Sequence, residues 1–374
     1  MDKPLAGLKV VELARILAGP WAGQLLADLG ADVVKVERPG GGDDTRAWGP
    51  PFAADGSAAY FHSCNRGKAS MAVDLETEEG RARVRELARG ADVLIENFRV
   101  GGLAKYGLDY APLSALNPSL IYCSITGFGQ TGPYAARPGY DFIVQGMGGI
   151  MDLTGDPEGE PQKVGVACAD IFTGLYASVA ILAALRGRDA GGRGCHLDLA
   201  LLDTQVAVLA NQAMNYLVSG EPPRRLGNAH PNIAPYQVFA AADGPLIVAV
   251  GNDAQFRRLC ALLGKAELAD EARFATNAGR VGNRAALTAA LAAPIALRLR
   301  DELLGALASA GIAAGPVNDV AQVFADPQVI ARGMRIERGG VAAVASPIVI
   351  DGRRQVADRP PPPLNPWRDE ETTN

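Results

Sequence analysis

Apolar positions switch between two periods along the first third of the chain, and the switching predicts alternating strands and helices. Leu8-Lys9-Val10-Val11-Glu12-Leu13 reads as a short strand. A loop over 14–20 follows, and Trp21 to Leu29 takes helical spacing, with Pro20 suited to a first helical turn. Ala31 to Glu37 is the next strand. The rhythm repeats as a strand over 70–75, a helix over 76–89, a strand over 92–98, short helices over 101–116 and a strand over 119–126. Alternation of this kind predicts an α/β fold. Its sheet is mostly parallel, helices cover both faces, and ligands sit beyond the carboxyl ends of the strands.

Further along, Ile171, Phe172, Leu175, Tyr176, Val179, Leu182 and Leu185 recur at helical spacing. A strand over 195–200 and a helix over 203–218 come next. Pro222, Pro223, Pro231 and Pro235 punctuate a linker. Beyond it, Gln237–Ala240 and Leu246–Val250 flank Asp243-Gly244, a hairpin signal. Helices over 253–264, 284–294 and 298–310 complete a smaller α/β domain at 226–316. The large domain occupies 1–225, Gly315-Pro316-Val317 begins the return to it, and 317–374 is that return plus a tail. After Pro360 the tail should be extended and weakly held.

One carboxylate stands out in this pattern. Val164-Gly165-Val166-Ala167-Cys168-Ala169 delivers Asp170 to the start of the long apolar helix. Orphan N–H groups and the helix dipole there favour an anion. Asp170 therefore reads either as an N-cap or as a carboxylate kept ionised at neutral pH and able to attack a carbonyl.

Composition narrows the chemistry. The 374 residues are 48% hydrophobic and 21% charged, ordinary for a globular enzyme of two domains. A net charge of −5 provides no basic field for nucleic acid. The five cysteines are scattered, without a C-x-x-C, and read as reduced thiols of a cytoplasmic protein. The three histidines lie far apart, so no metal site is expected. Met1-Asp2-Lys3-Pro4 lacks the apolar core of a signal peptide, and the helix after Asp170 is soon followed by Arg186 and Arg188, so no membrane span is expected.

The strand–helix–strand opening invites a dinucleotide reading, but 14–20 holds no G-x-G-x-x-G and Pro20 removes a phosphate donor. Gly40-Gly41-Gly42 lacks the lysine and hydroxyl of a phosphate loop and reads as a flexible turn. Arg38, Arg46, Arg66, Lys68, Arg99 and Lys105 fall near strand ends. Together they are suited to a polyphosphate.

Several of these segments, taken in order, resemble the class III CoA-transferase family (CaiB/BaiF type). They are Gly7–Leu13 with Ala18-Gly19-Pro20, Leu29–Glu37, Asn65-Arg66-Gly67-Lys68, Ala91–Phe98, Tyr140-Asp141 and Val164 to Gly174. The resemblance runs nearly to Pro363. It implies a Rossmann-like large domain, a smaller domain, a homodimer of interlocked chains, and Asp170 as the nucleophile. Ile16, Leu17 and Ala18 fall in the loop that holds the thioester region, Leu17 standing where formyl-CoA transferases have glutamine. Arg38 matches an arginine at the nucleotide end of CoA, and Asn97-Phe98 a CoA-contacting pair. Lys105 stands in place of an arginine, and Tyr140-Asp141 matches a Tyr-Glu pair near the nucleophile. The glycine-rich lid of formyl-CoA transferases has no counterpart. Instead His230 to Gln237 is similar to the dicarboxylate-using branch, especially the succinyl-CoA:glutarate enzymes. The C-terminal helix usual after the proline stretch is absent or altered.

The resemblance implies CoA transfer from an acyl-CoA, such as succinyl-CoA, to a carboxylic acid such as a dicarboxylate. Asp170 would pass through a mixed anhydride to an aspartyl-CoA thioester, with CoA as substrate and no permanently bound cofactor. N–H groups of the turn Gly146-Met147-Gly148-Gly149 are the expected oxyanion donors, with Gly148 and Gly149 close to the substrate. Two alternatives stand beside it. A 2-methylacyl-CoA racemase needs a base on each side of the α-carbon, and Tyr140 stands where its histidine would be. A CoA-binding relative without catalysis would keep the fold alone.

Overall fold

The computed structural model describes residues 3–365. They form two compact units, one from the described parts of 1–151, 163–221 and 327–374, the other from 152–162 and 222–326.

The larger unit is built on six parallel strands. β1 (Lys9–Glu12), β2 (Asp32–Glu37), β3 (Ala69–Ala72), β4 (Val93–Glu96), β5 (Ile121–Thr126) and β6 (His196–Ala200) lie in the order β3-β2-β1-β4-β5-β6. Strand order reverses between β1 and β4, where Val10 pairs with Val93 and Glu12 with Ile95. In open α/β sheets that reversal opens a crevice at the carboxyl edge. Alternate residues of the strands feed two cores. Val10, Val33, Val93, Ile95 and Ile121 pack on one face against α1 (Ala18–Asp28) and the helix Cys168–Gly191, whose Ala177, Ile181 and Leu185 are buried. Val11, Val36, Leu94 and Tyr122 pack on the other face, against Val84 and Ala88 of the helix Glu78–Arg89. Each such aliphatic side chain contributes roughly 1.5–3 kcal/mol by leaving water.

The smaller unit has an antiparallel sheet of β7 (Tyr236–Ala241), β8 (Gly244–Ala249) and β9 (Ala313–Pro316). Phe239, Leu246, Val248, Phe256, Leu291 and Leu307 form its core.

Several sequence expectations change. Gly315 and Pro316 pair with Ile247 and Leu246 in β9, so they complete the small sheet and do not begin the return. Asp152–Gln162 belongs to the smaller unit, tied by Arg225, which donates to the Asp152 carbonyl at 3.0 Å and the Gly159 carbonyl at 3.2 Å. The helix expected over 203–218 is two, Leu201–Ala207 and Ala210–Ser219, broken where Ala210 takes φ +47°. The long helix starts at Cys168, earlier than its apolar spacing announced, and runs 24 residues. In the glycine turn the Gly42 N–H donates to the Arg38 carbonyl at 3.1 Å, and a Cβ on Gly42 would lie 2.7 Å from Glu37 Oε2 and 2.8 Å from Arg46 Cδ. Residues 359–365 are held along the sheet edge, because Gly67 and Ala72 donate to the carbonyls of Arg359 (3.1 Å) and Asn365 (2.8 Å). The expected loss of a C-terminal helix falls on 366–374, outside the described residues.

Candidate active site

A cavity of about 450 Å³ lies at the crevice where strand order reverses, within the range of small-molecule sites. The loop after β1 supplies Arg15, Ile16, Leu17 and Ala18, and the segment after β4 supplies Asn97, Phe98, Arg99 and Lys105. Tyr140 and Asp170 also line it. The fold thus brings together Arg15 and Asp170, far apart in sequence, at the switch point.

Asp170 sits in the first turn of its helix, third after the cap position Ala167. It is therefore not the N-cap, and Ala167 makes no side-chain cap bond. Asp141 does the capping from outside: its Oδ1 accepts the N–H groups of Ala169 at 2.8 Å and Asp170 at 3.3 Å. Asp141 Oδ2 accepts from Gln145 Nε2 at 2.7 Å, and Gln145 Oε1 accepts the Val164 N–H at 2.9 Å. A buried glutamine thus pins the segment entering the helix, which no sequence motif signalled.

Electrostatics at Asp170 run against the sequence expectation. Burial, followed by the neighbouring Asp141 carboxylate, pushes its carboxyl up to about 7. Desolvation disfavours the anion more than the helix start favours it. Tyr60 faces the same charge: burial and then Asp170 push its hydroxyl up to about 12. Sequence reasoning missed Tyr60, because the short helix Ala59–His62 carries no signal of proximity to residue 170.

The remaining candidates divide. Asn97 is at the cavity, but its amide is spent on the Arg15 backbone, accepting the N–H at 2.9 Å and donating to the carbonyl at 2.6 Å. Gly148 and Gly149 do not line the cavity. Their N–H groups donate to Val144 O (2.7 Å) and Gly146 O (3.4 Å), closing the end of the helix Asp141–Met147. Neither is free to hold an oxyanion there. A Cβ on Gly148 would come within 2.3 Å of Gln205 Cγ, so close packing accounts for that glycine.

Of the six cations near strand ends, three are structural. Arg46 pairs with buried Glu37 at 2.7 Å, and Arg66 with Asp28 at 2.7 Å and Lys68 with Glu12 at 2.8 Å are fully buried pairs. Arg38 is exposed, pairs with Asp44, and lines a second cavity of about 340 Å³. That cavity shares Arg15, Phe98 and Tyr106 with the first. Lys105 pairs with Glu76 at 3.3 Å and lies over the Tyr106 ring. Arg99 and Arg137 line the main cavity and form no ion pair with a described residue. His62, His196 and His230 are not among its lining residues.

A doubly wound sheet with a carboxylate in a cation-fringed cavity at its switch point defines an α/β enzyme equipped for acyl chemistry on an anionic ligand. The family model for CoA-transferase family III matches residues 5–366, and the chain belongs to that family. It is 58% identical to a succinate–glutarate CoA-transferase of Agrobacterium fabrum over 96% of this chain and 93% of that one. It is 43% identical to the succinyl-CoA:glutarate CoA-transferase of Mus musculus, over 97% and 84% of the two chains. The crystal structure of a CaiB/BaiF family protein from Brucella suis superposes with a TM-score of 0.88 at 62% identity, covering 98% of this chain and 97% of that one. The protein is a CoA-transferase.

Proposed function

We propose that this enzyme moves CoA from succinyl-CoA to a dicarboxylic acid such as glutarate, with Asp170 as the nucleophile. The observation that carries the mechanism is Asp170 itself, the carboxylate lining a cavity fringed by Arg15, Arg99, Lys105 and Arg137. The names of the two relatives support the choice of donor and acceptor.

Ionised Asp170 attacks the thioester carbonyl, the C–S bond breaks, and a mixed anhydride and CoA thiolate result. The thiolate attacks the aspartyl carbonyl, releasing succinate and leaving an aspartyl-CoA thioester. The acceptor carboxylate attacks that thioester, expelling CoA thiolate and forming a second mixed anhydride; the thiolate then attacks the acceptor carbonyl, giving the acceptor's CoA thioester and freeing the Asp170 carboxylate. Each stage exchanges acyl groups of comparable activation, so covalent catalysis replaces one difficult displacement by easier ones. CoA is substrate throughout, and no permanently bound cofactor enters the cycle.

CoA is long, and the two cavities share Arg15, Phe98 and Tyr106, so one extended ligand could run from one into the other. Its thioester end takes the main cavity beside Ile16, Leu17, Ala18 and Asp170. Arg99, Lys105 and Arg38 meet the phosphates toward the nucleotide end.

Phe142, Ile143, Met147, Val166 and Val179 are exposed apolar residues of the larger unit. So much exposed apolar surface is characteristic of a subunit contact, and the working form in our reading is a homodimer. All five cysteines are unpaired, which accords with the cytoplasm.

The test is direct. Asp170→Ala should lower transfer from succinyl-CoA to glutarate by roughly 10³-fold or more while CoA still binds. Hydroxylamine added to the wild-type enzyme with succinyl-CoA should convert Asp170 to a hydroxamate detectable by mass spectrometry. Retained turnover in the variant would remove Asp170 from the mechanism.

A further inference from the structure

Between β1 and α1 the backbone takes a conformation its sequence resists. Ile16 has φ +72°, in the left-handed region that β-branched residues avoid. Such strain persists only where surrounding structure over-determines it. Here the Ile16 N–H donates to both carboxylate oxygens of Asp43, at 3.4 and 3.2 Å. Cys64 Sγ donates to the Ile16 carbonyl at 3.6 Å, and Asn97 clamps the Arg15 backbone from the other side.

Asp43 is itself fixed. It is buried, accepts from the Thr45 N–H (3.0 Å) and hydroxyl (2.7 Å), and pairs with Lys35 at 2.9 Å. Lys35 Nζ also reaches Glu12 at 2.9 Å and the Ala14 carbonyl at 2.8 Å. Lys68 Nζ joins Glu12 to the Pro20 carbonyl, each at 2.8 Å. The four buried charges thus grip the same loop at three backbone points: Ala14 O, Ile16 N and Pro20 O. The segment they hold, Arg15 to Ala18, is cavity wall. Its far end packs on the Asp170 helix, where a Cβ on Gly174 would lie 2.7 Å from the Ala18 carbonyl.

We propose that Asp43 is a positioning residue for the transfer reaction: through the Ile16 N–H it sets the Arg15–Ala18 wall against which the thioester meets Asp170. Lys35 and Thr45 orient it for that task. Asp43 does not line the cavity, so it acts through the backbone it holds, directly at the Ile16 N–H and through Lys35 at the Ala14 carbonyl. The inference rests on the CoA-transfer reading above. A misplacement of about 1 Å at a reacting centre costs on the order of 10²-fold in rate.

Asp43→Asn keeps the side-chain shape and removes the charge that Lys35 and the Ile16 N–H share. With succinyl-CoA and glutarate, its kcat should fall by about 10- to 100-fold, and KM for succinyl-CoA should change by less than about threefold. Adding Ile16→Gly should then restore kcat by about fivefold or more, because glycine adopts φ +72° without strain. A role confined to neutralising Lys35 predicts no such restoration. The proposal is overturned by a kcat of Asp43→Asn within twofold of wild type, or by a double variant that is folded yet no faster than the single one. Where circular dichroism shows Asp43→Asn unfolded, Thr45→Val, which removes one bond to Asp43, takes its place. It should lower kcat a few-fold with the same glycine rescue, and an unchanged kcat overturns the proposal. A wild-type enzyme inactive on every acyl-CoA and acid pair would refute the functional reading and this inference with it, whereas the outcomes above, read against an active wild type, overturn this inference alone.

Discussion

Asp170 must lose a proton before it can attack, and its surroundings resist that loss. Its carboxyl is pushed up to about 7, so kcat/KM should rise with pH through about 7 and level off above it. Asp141→Asn keeps an oxygen for the two amide N–H groups but removes the like charge. The rise should then move to lower pH, and a shift to higher pH would show that Asp141 does not act through its charge. Stability gives an independent reading. A carboxyl raised in the folded state costs stability as pH climbs from its unfolded value, near 4, through its folded one. Asp170→Asn should therefore be more stable than wild type at pH 8 by about 1–3 kcal/mol after allowing for solvent screening, seen as a higher melting temperature, and the gap should close toward pH 4. Equal melting temperatures at pH 8 would refute the elevated value. At this scale the nucleophile candidate was legible along the chain, because a lone carboxylate at an apolar helix start is conspicuous. The family resemblance pointed to Asp141, but the sequence hid Gln145, Tyr60 and Asp43, which act across 19 or more positions and carry no local signature.

Helices and strands were legible wherever apolar spacing is regular. All six strands of the main sheet and the β7–β8 hairpin stand where periodicity put them, with ends shifted by a few residues. Errors came where a tertiary contact decides an element's fate. The Asp170 helix begins early because Asp141 caps it, and Gly315-Pro316 becomes a strand because β8 offers an edge. Close approach of two helices is a property of the element. At Gly174 of the Asp170 helix, an added Cβ would meet Ala18 O at 2.7 Å and Trp21 Cβ at 3.0 Å, both on α1. Gly174→Val should therefore force the helices apart and destabilise by about 1–3 kcal/mol in urea titration, lowering kcat because α1 begins at the cavity. A variant as stable as wild type would mean that the helices tolerate a wider spacing.

At the scale of the whole molecule, a chain that leaves the larger unit must be brought back to it. Asp28 does part of this. Its carboxylate takes Arg66 in a two-bond pair at 3.0 and 2.7 Å and the Ala357 N–H at 2.8 Å, while Arg66 also donates to the Val344 carbonyl. Asp28→Ala leaves a buried guanidinium without its carboxylate and should cost about 3–5 kcal/mol by chemical denaturation. A loss below about 1 kcal/mol would show that the returning segment is held elsewhere. The homodimer proposed above makes a separate prediction. Val179, 64% exposed on the Asp170 helix, should as Val179→Glu shift the protein toward monomer in light scattering. A dimer of unchanged stability would place the contact on another face.

The sequence by itself determined the alternation of strand and helix, the parallel sheet and the carboxylate worth watching, because these follow from local periodicity and from residue chemistry at a helix start. It also carried the family resemblance that the comparisons bear out. Only the tertiary structure decided which charges are free and which are spent. Arg46, Arg66 and Lys68 look like ligand-binding cations in the sequence and are paired with buried carboxylates in the fold, while Arg99 and Arg137 face the cavity. The same holds for Asp170, a well-placed anion by position in its helix and a carboxyl raised to about 7 by burial and Asp141. Desolvation and charge pairing depend on what surrounds a group in space, and spacing along the chain does not encode it.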